Sequence, residues 1–263
     1  MKRITIKVGS NVLTREDGSL NVTRMSAIVD QIASLRKMGI EVILVSSGAV
    51  ASGRSELKRQ VERQGLQMVS NEHEVDERQL YSAIGQAKLM NRYYELFRDH
   101  GIHVGQVLTT KENFIVDELY RNQMNCMTMM LRNDVLPIVN ENDTVSITEL
   151  MFTDNDELSG LITTMMEAEM LIILSNIDGV YTGCPNDENS RLLTLIHSDD
   201  DLNQYIQSSK STLGRGGMQS KSSIAQQIAA QGTTVMIANG CRENVIIDLI
   251  TNKDSVPHSE FCK

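Results

Sequence analysis

The sequence predicts an α/β protein with a mainly parallel sheet. Strand-like and helix-like segments alternate along the chain, their connections are short, and the run 41–46 is largely apolar and rich in β-branched residues, as suits a strand buried on both faces. Taken in order, residues 3–8 alternate like a strand. Residues 22–38 carry apolar side chains at helical spacing and stop at Gly39, which is suited to the left-handed position after a helix. After strand 41–46 come helix 79–100, strand 102–108, helix 118–133 and strand 135–139. The alternation continues with helix 154–168, strand 170–174, helix 217–231, strand 233–238 and helix 243–250. The segment 56–77 breaks the pattern. It is rich in charge and poor in apolar periodicity, and reads as a mobile, partly helical excursion at the surface. With no repeat, low-complexity tract or Pro/Ser linker, and only 3 prolines, residues 1–263 read as one α/β domain, in one lobe or two.

Composition narrows the function classes. Hydrophobic residues make up 41% and charged residues 22% of 263, as in ordinary soluble globular proteins. No apolar run approaches the roughly 18 residues needed to cross a bilayer, and Met1-Lys2-Arg3-Ile4 enters a strand without a signal-peptide core. A cytoplasmic location with no membrane partner is therefore expected. Cys126, Cys184, Cys241 and Cys262 are far apart, and neither CxxC nor HExxH occurs, so no zinc site is predicted. The thiols are expected to be reduced and mostly structural, with Cys262 in an exposed tail. A net charge of −9 argues against nucleic acid as a partner. An anionic substrate would then need local basic groups.

Two acid–amide clusters stand where such a site belongs. Asn140-Glu141-Asn142-Asp143 directly follows the strand 135–139, and Asp154-Asn155-Asp156 opens the helix after it. Polar side chains between a strand's C-terminal end and a helix N-terminus are the usual ligand site of an α/β protein. Carboxylates suit an ammonium and amide NH₂ groups suit oxyanions, so together they fit a small zwitterion. Asn and Asp are equally at home in turns and helix caps, and either cluster alone has that reading too.

Four glycine turns accompany these elements: Gly9-Ser10, Gly48-Ala49, Asp178-Gly179 and Gly214-Arg215-Gly216-Gly217-Met218. None is a phosphate fingerprint alone, since GxGxxG and the Walker A pattern are both absent. Together they look like backbone that admits an anion at helix N-termini. Lys7 falls at the C-terminal end of the first strand, beside Gly9; its alternative is a solvent-facing lysine on an edge strand. Lys221 falls in the first turns of a helix, where a cation opposes the dipole unless an anion is bound; its alternative is an ordinary exposed lysine.

These residues resemble the amino acid kinase family. The resemblance is carried by Ile6-Lys7-Val8-Gly9-Ser10, Ser46-Ser47-Gly48-Ala49-Val50-Ala51-Ser52-Gly53-Arg54, Gly85-Gln86 and Gly101-Ile102-His103-Val104-Gly105-Gln106. The two acid–amide clusters and Gly216-Gly217-Met218 with Lys221 complete it, from Lys7 to about Gly240. Within the family the paired clusters resemble the branch that phosphorylates the γ-carboxylate of L-glutamate, the first step of proline synthesis. The resemblance implies a three-layer α/β/α sandwich, with the amino acid bound by the N-terminal part and ATP by the C-terminal part. It implies that Ser47, Gly48, Asn140, Asp143 and Asn155 bind glutamate. Lys7 and Lys221 would act on the transferred phosphoryl group, and Asp156 would hold both lysines. The nucleotide would meet Lys7, Gly9, Ser10, Ser175, Asn176, Arg215, Gly216, Gly217, Met218, Gln219, Ser220 and Lys221. Mg²⁺ would arrive on the ATP phosphates, with no protein metal site. L-Proline is implied as feedback inhibitor, and a homo-oligomer, dimer or tetramer, as the assembly.

The chain departs from the family pattern at Ser175-Asn176, where Thr-Asp is common, and at Arg215, where a small residue is usual. Many bacterial relatives carry a C-terminal PUA domain; this chain stops at Lys263, and a kinase domain without it is expected. Two rivals stay open. One is a related kinase acting on carbamate, acetylglutamate or a nucleoside monophosphate, although a nucleotide acceptor would call for extra arginines. The other is a catalytically silent amino-acid sensor, against which Lys7, Asp156 and Lys221 all speak.

Overall fold

The computed structural model describes residues 1–65, 74–146, 152, 154–205 and 217–263. Its elements are β1 (Arg3–Val8), α1 (Ser10–Leu13), α2 (Val22–Lys37), β2 (Glu41–Ser46), α3 (Ala49–Gln64) and α4 (Glu74–Arg98). Then come β3 (His103–Thr109), α5 (Glu112–Ile115), α6 (Asp117–Arg132), β4 (Val135–Glu141), α7 (Asn155–Met165) and β5 (Met170–Ser175). The chain finishes with β6 (Leu195–His197), α8 (Met218–Ala230), β7 (Thr234–Asn239), α9 (Val245–Thr251) and β8 (His258–Cys262).

The strands form one sheet in the order β3-β4-β2-β1-β5-β7-β8-β6. Neighbours from β3 to β7 pair in parallel, β8 runs antiparallel to β7, and β6 is parallel to β8. The apolar runs are continuous because both faces are covered. Ile4, Ile6, Val42, Leu44 and Ile172 pack under α2, α4 and α9. Ile43 and Val45 face α6 and α7, while Leu171, Ile173, Val235 and Ile237 face α8. The expected three-layer sandwich follows directly from this alternation. No helix among the described residues is long and apolar enough to cross a membrane.

The structure corrects the sequence reading in three places. First, the helical parts of 56–77 belong to longer helices than the pattern suggests: α3 runs on to Gln64 and ends at Gly65 in the left-handed conformation (φ 63°), and α4 begins at Glu74. Residues 66–73 lie outside the described residues. The expected helix 79–100 is most of α4, whereas apolar periodicity missed α3, which meets α4 through glycines. A Cβ on Gly53 would lie 1.8 Å from the Tyr81 carbonyl oxygen, and one on Gly85 would lie 1.8 Å from that of Ala49. Second, the C-terminal residues form β8, so Cys262 is a half-buried strand residue rather than part of an exposed tail, with Phe261 beside it fully buried. β6 has only three residues, and His258-Ser259-Glu260-Phe261-Cys262 lacks the apolar run of a buried strand. Third, all four thiols are free, but Cys126, Cys184 and Cys241 are exposed, so they are not structural core residues.

Candidate active site

The chain leaves β1 toward β2, β4 and β3 on one side of the sheet, and toward β5 and β7 on the other. In open α/β sheets such a reversal of strand order opens a crevice at the carboxyl ends of the strands. Here it is a cleft of about 940 Å³. Its lining includes Lys7, Gly9, Ser10, Ser47, Gly48, Asn140, Asp143, Asp154, Asn155, Asp156, Ser175, Asn176, Gly217, Met218 and Lys221. Two glycines line it. Gly48 takes a left-handed conformation (φ 98°) at the turn from β2 into α3. Gly9 lies beside the Lys7 ammonium, which a Cβ there would approach to 3.7 Å, an ordinary contact distance.

One part of the cleft is a buried lysine–aspartate–lysine group. β1 is central rather than an edge strand, and its Lys7 is only 4% exposed. Lys7 Nζ lies 2.5 Å from Asp156 Oδ1, and Lys221 Nζ donates to Asp156 Oδ2 at 3.0 Å. Asp156, in the first turn of α7, is fully buried. Burial pulls the Lys7 ammonium below its ordinary value against the opposing pull of Asp156, and Lys221 adds to the lowering. Burial alone would raise the Asp156 carboxyl, but Lys7 and Lys221 outweigh it and hold the group below the ordinary carboxylate range. Asp154 fixes the geometry. Its Oδ1 caps α7 by accepting from Asp156 N (2.8 Å) and Glu157 N (3.1 Å), and its Oδ2 accepts from the Ser220 hydroxyl of α8. With all three groups ionised the trio carries one net positive charge. Desolvating it opposes folding, and a buried charge cluster of this kind in a cleft is a candidate functional site.

The neighbouring part of the cleft is acidic. Asp143 and Glu141 are each 3% exposed and share one cation, Arg78 of α4. Arg78 Nε donates to Asp143 Oδ1 at 2.8 Å, and its Nη2 donates to Glu141 Oε2 at 3.3 Å. Ser82 donates to Asp143 Oδ2 (3.3 Å), and the Phe152 N–H donates to Glu141 Oε1 (3.0 Å). This trio carries one net negative charge.

Asn155 links the two parts, because it precedes Asp156 and its amide reaches across to β2 and β4. Its Nδ2 donates to Ser46 O (3.2 Å), Ser47 Oγ (3.0 Å) and Asn140 Oδ1 (2.9 Å). Asn140 Nδ2 in turn donates to Gln86 Oε1 at 2.9 Å. The Ser47 hydroxyl thus accepts from Asn155 and keeps its own proton for another acceptor.

The structure brings Lys7, Asp156 and Lys221 together, and Ser47, Asn140 and Asn155 together. Asp143 lies with Arg78 instead of meeting the amides directly. Gln219 is exposed and Ser220 turns to Asp154, so neither lines the cleft. Arg215 and Gly216 lie outside the described residues. Sequence reasoning missed Arg78, Ser82 and Gln86 as partners of the acid–amide residues. Gln86 belongs to the Gly85-Gln86 motif, whereas Arg78 falls between the charge-rich stretch 56–77 and the expected helix 79–100.

Residues 2–239 match the model of the amino acid kinase family. A glutamate 5-kinase from Bacteroides thetaiotaomicron is 61% identical over 259 residues, which cover 98% of this chain and 69% of that protein. A glutamate 5-kinase from Chlorobaculum tepidum is 42% identical over 246 residues, covering 93% of this chain and 65% of that protein. Among solved structures, carbamate kinase from Giardia lamblia bound to AMP-PNP superposes with a TM-score of 0.70 at 14% identity, covering 100% of this chain and 98% of that one. UMP kinase from Ureaplasma parvum gives 0.66 at 15% identity, covering 100% and 99%. At such identities the two structures speak for the fold alone.

Proposed function

Since the chain belongs to the amino acid kinase family, we propose that it transfers the γ-phosphoryl group of ATP, bound as its Mg²⁺ complex, to the γ-carboxylate of L-glutamate. The observation that carries this reading is the pairing of two buried charge trios of opposite net sign in one cleft, linked through Asn155. Glutamate has an ammonium for the acidic trio, and the phosphoryl group that its terminal carboxylate attacks is an anion for the lysine trio. The reading agrees with the names of the two kinases above.

In this reaction a γ-carboxylate oxygen attacks the γ-phosphorus of ATP, and the bond from that phosphorus to the bridging β-γ oxygen breaks. The products are γ-glutamyl phosphate and ADP. The carboxylate is already ionised near pH 7, so no general base is needed. The remaining demand is positioning and neutralisation of the equatorial phosphoryl oxygens. Lys7 and Lys221 meet it from β1 and α8, and Asp156 is the positioning residue that holds both ammonium groups. Asp143 takes the substrate ammonium, and Ser47, Asn140 and Asn155 fix its orientation. Gly9, Ser10, Ser175, Asn176, Gly217 and Met218 border the nucleotide. Proline shares the amino-acid head but lacks the γ-carboxylate, so it enters as a competitor of glutamate that cannot be phosphorylated.

An ATP-dependent hydroxamate trap over a panel of carboxylic and amino acids tests the reading. Hydroxylamine captures acyl phosphates, and a signal specific to L-glutamate is expected. ADP release with carbamate or a nucleoside monophosphate, with no hydroxamate from glutamate, would replace the acceptor.

A further inference from the structure

One guanidinium serves two buried carboxylates and still has a face to spare. The contacts of Arg78 with Asp143 and Glu141 use Nε and Nη2. Nη1 has no protein partner among the described residues, and the side chain, 21% exposed, borders the cleft. The other cations of the lining are engaged differently. Lys7 and Lys221 are held by Asp156, Arg54 lies over the Tyr81 ring at 5.1 Å, and Lys58 is 70% exposed. Among the described residues, Arg78 is the cleft cation in contact with Asp143.

We propose that Arg78 receives the α-carboxylate of the substrate amino acid through Nη1 while Asp143 takes the ammonium, so that Arg78 sets specificity for a substrate with an α-carboxylate over one that lacks it. The inference rests on the glutamate reading. An α-amino acid carries its ammonium and carboxylate on one carbon. The complement of that head is a guanidinium and a carboxylate already in contact, each presenting the opposite charge. Glu141, sharing Arg78 Nη2 and held by the Phe152 N–H, fixes the guanidinium beside the cleft that Arg78 lines.

Calorimetric binding of three ligands separates this role from a merely structural one. L-Glutamate has both head groups, 4-aminobutyrate lacks the α-carboxylate, and glutarate lacks the ammonium. In Arg78→Gln, L-glutamate and glutarate are expected to weaken about 10- to 100-fold, the value of a charge-assisted bond, with 4-aminobutyrate changed about threefold at most. Arg78→Lys keeps the charge and restores part of the loss, which also controls for misfolding. Equal losses for L-glutamate and 4-aminobutyrate with glutarate spared would overturn the role, because Arg78 would then only be holding Asp143. If the parent chain binds none of the three, the glutamate reading itself falls. If it binds them but the losses do not track the α-carboxylate, only the role of Arg78 falls.

Discussion

The two charge trios of the cleft are built on the same plan with opposite signs. Around Asp156 one carboxylate holds two ammonium groups, and around Arg78 one guanidinium holds two carboxylates. They differ in how much of the fold they engage. The lysine trio draws on β1, α7 and α8, elements from both halves of the chain, and is locked by the Asp154 cap and its bond to Ser220. The acidic trio depends on the end of β4 and on one helix, α4, which is held through its close glycine crossing with α3. In the proposed reaction the first meets the transferred phosphoryl group and the second meets the head of the amino acid.

The strongest way to break the comparison is at Asp156. Replacing Asp156 by Asn keeps the shape but leaves two buried ammonium groups without a counter-charge. Turnover should fall by about 10²- to 10³-fold, and stability by about 3–5 kcal/mol, seen as a lower urea midpoint. That stability difference should depend on pH. The folded-state pKa of Asp156 is depressed below its ordinary 3.8, so its contribution is complete above that value and is lost as pH falls through the depressed one. The midpoints of parent and Asp156→Asn should therefore converge in strong acid; a gap that stays constant from pH 6 down to about 2 would mean that Asp156 is not paired as described.

A smaller effect is expected at the crossing that supports the other trio. Gly53→Ala would force its methyl group against the Tyr81 carbonyl and push α4, with Arg78, out of place. A destabilisation of about 1–3 kcal/mol is expected, with KM for glutamate rising more than kcat falls. The reverse split would show that α4 supports the lysine trio as well. Smallest of all should be Ser82→Ala, which removes the 3.3 Å bond to Asp143. Glutamate affinity should drop about two- to tenfold, the worth of one hydrogen bond, and ATP affinity should stay put.

The lysine trio was largely legible in the sequence and the acidic trio only in part. Lys7 announced itself as a lysine at the end of an apolar strand, and Asp156 as an acid at the start of a helix; both are local signals. That α8 brings Lys221 to the same carboxylate followed from the resemblance and not from spacing. Arg78 carried no local signal, because its partners lie more than sixty residues away and its own surroundings are charged. Helix α3 was hidden for a related reason: glycine against backbone leaves no apolar stripe. The parallel core was legible because burial on both faces forces continuous apolar runs, whereas β6 is only three residues long and β8 is largely polar.

The central claim is that the two trios divide the labour, one binding and one transferring. It is tested most directly by measuring glutamate affinity and kcat side by side in Asp143→Asn and Lys221→Ala. Lys221→Ala should lower kcat about 10²-fold or more and leave glutamate affinity within about threefold, while Asp143→Asn should weaken glutamate about tenfold or more with a smaller loss in kcat. If both variants lose the same quantity in the same proportion, the cleft acts as one charge cluster and the division does not exist.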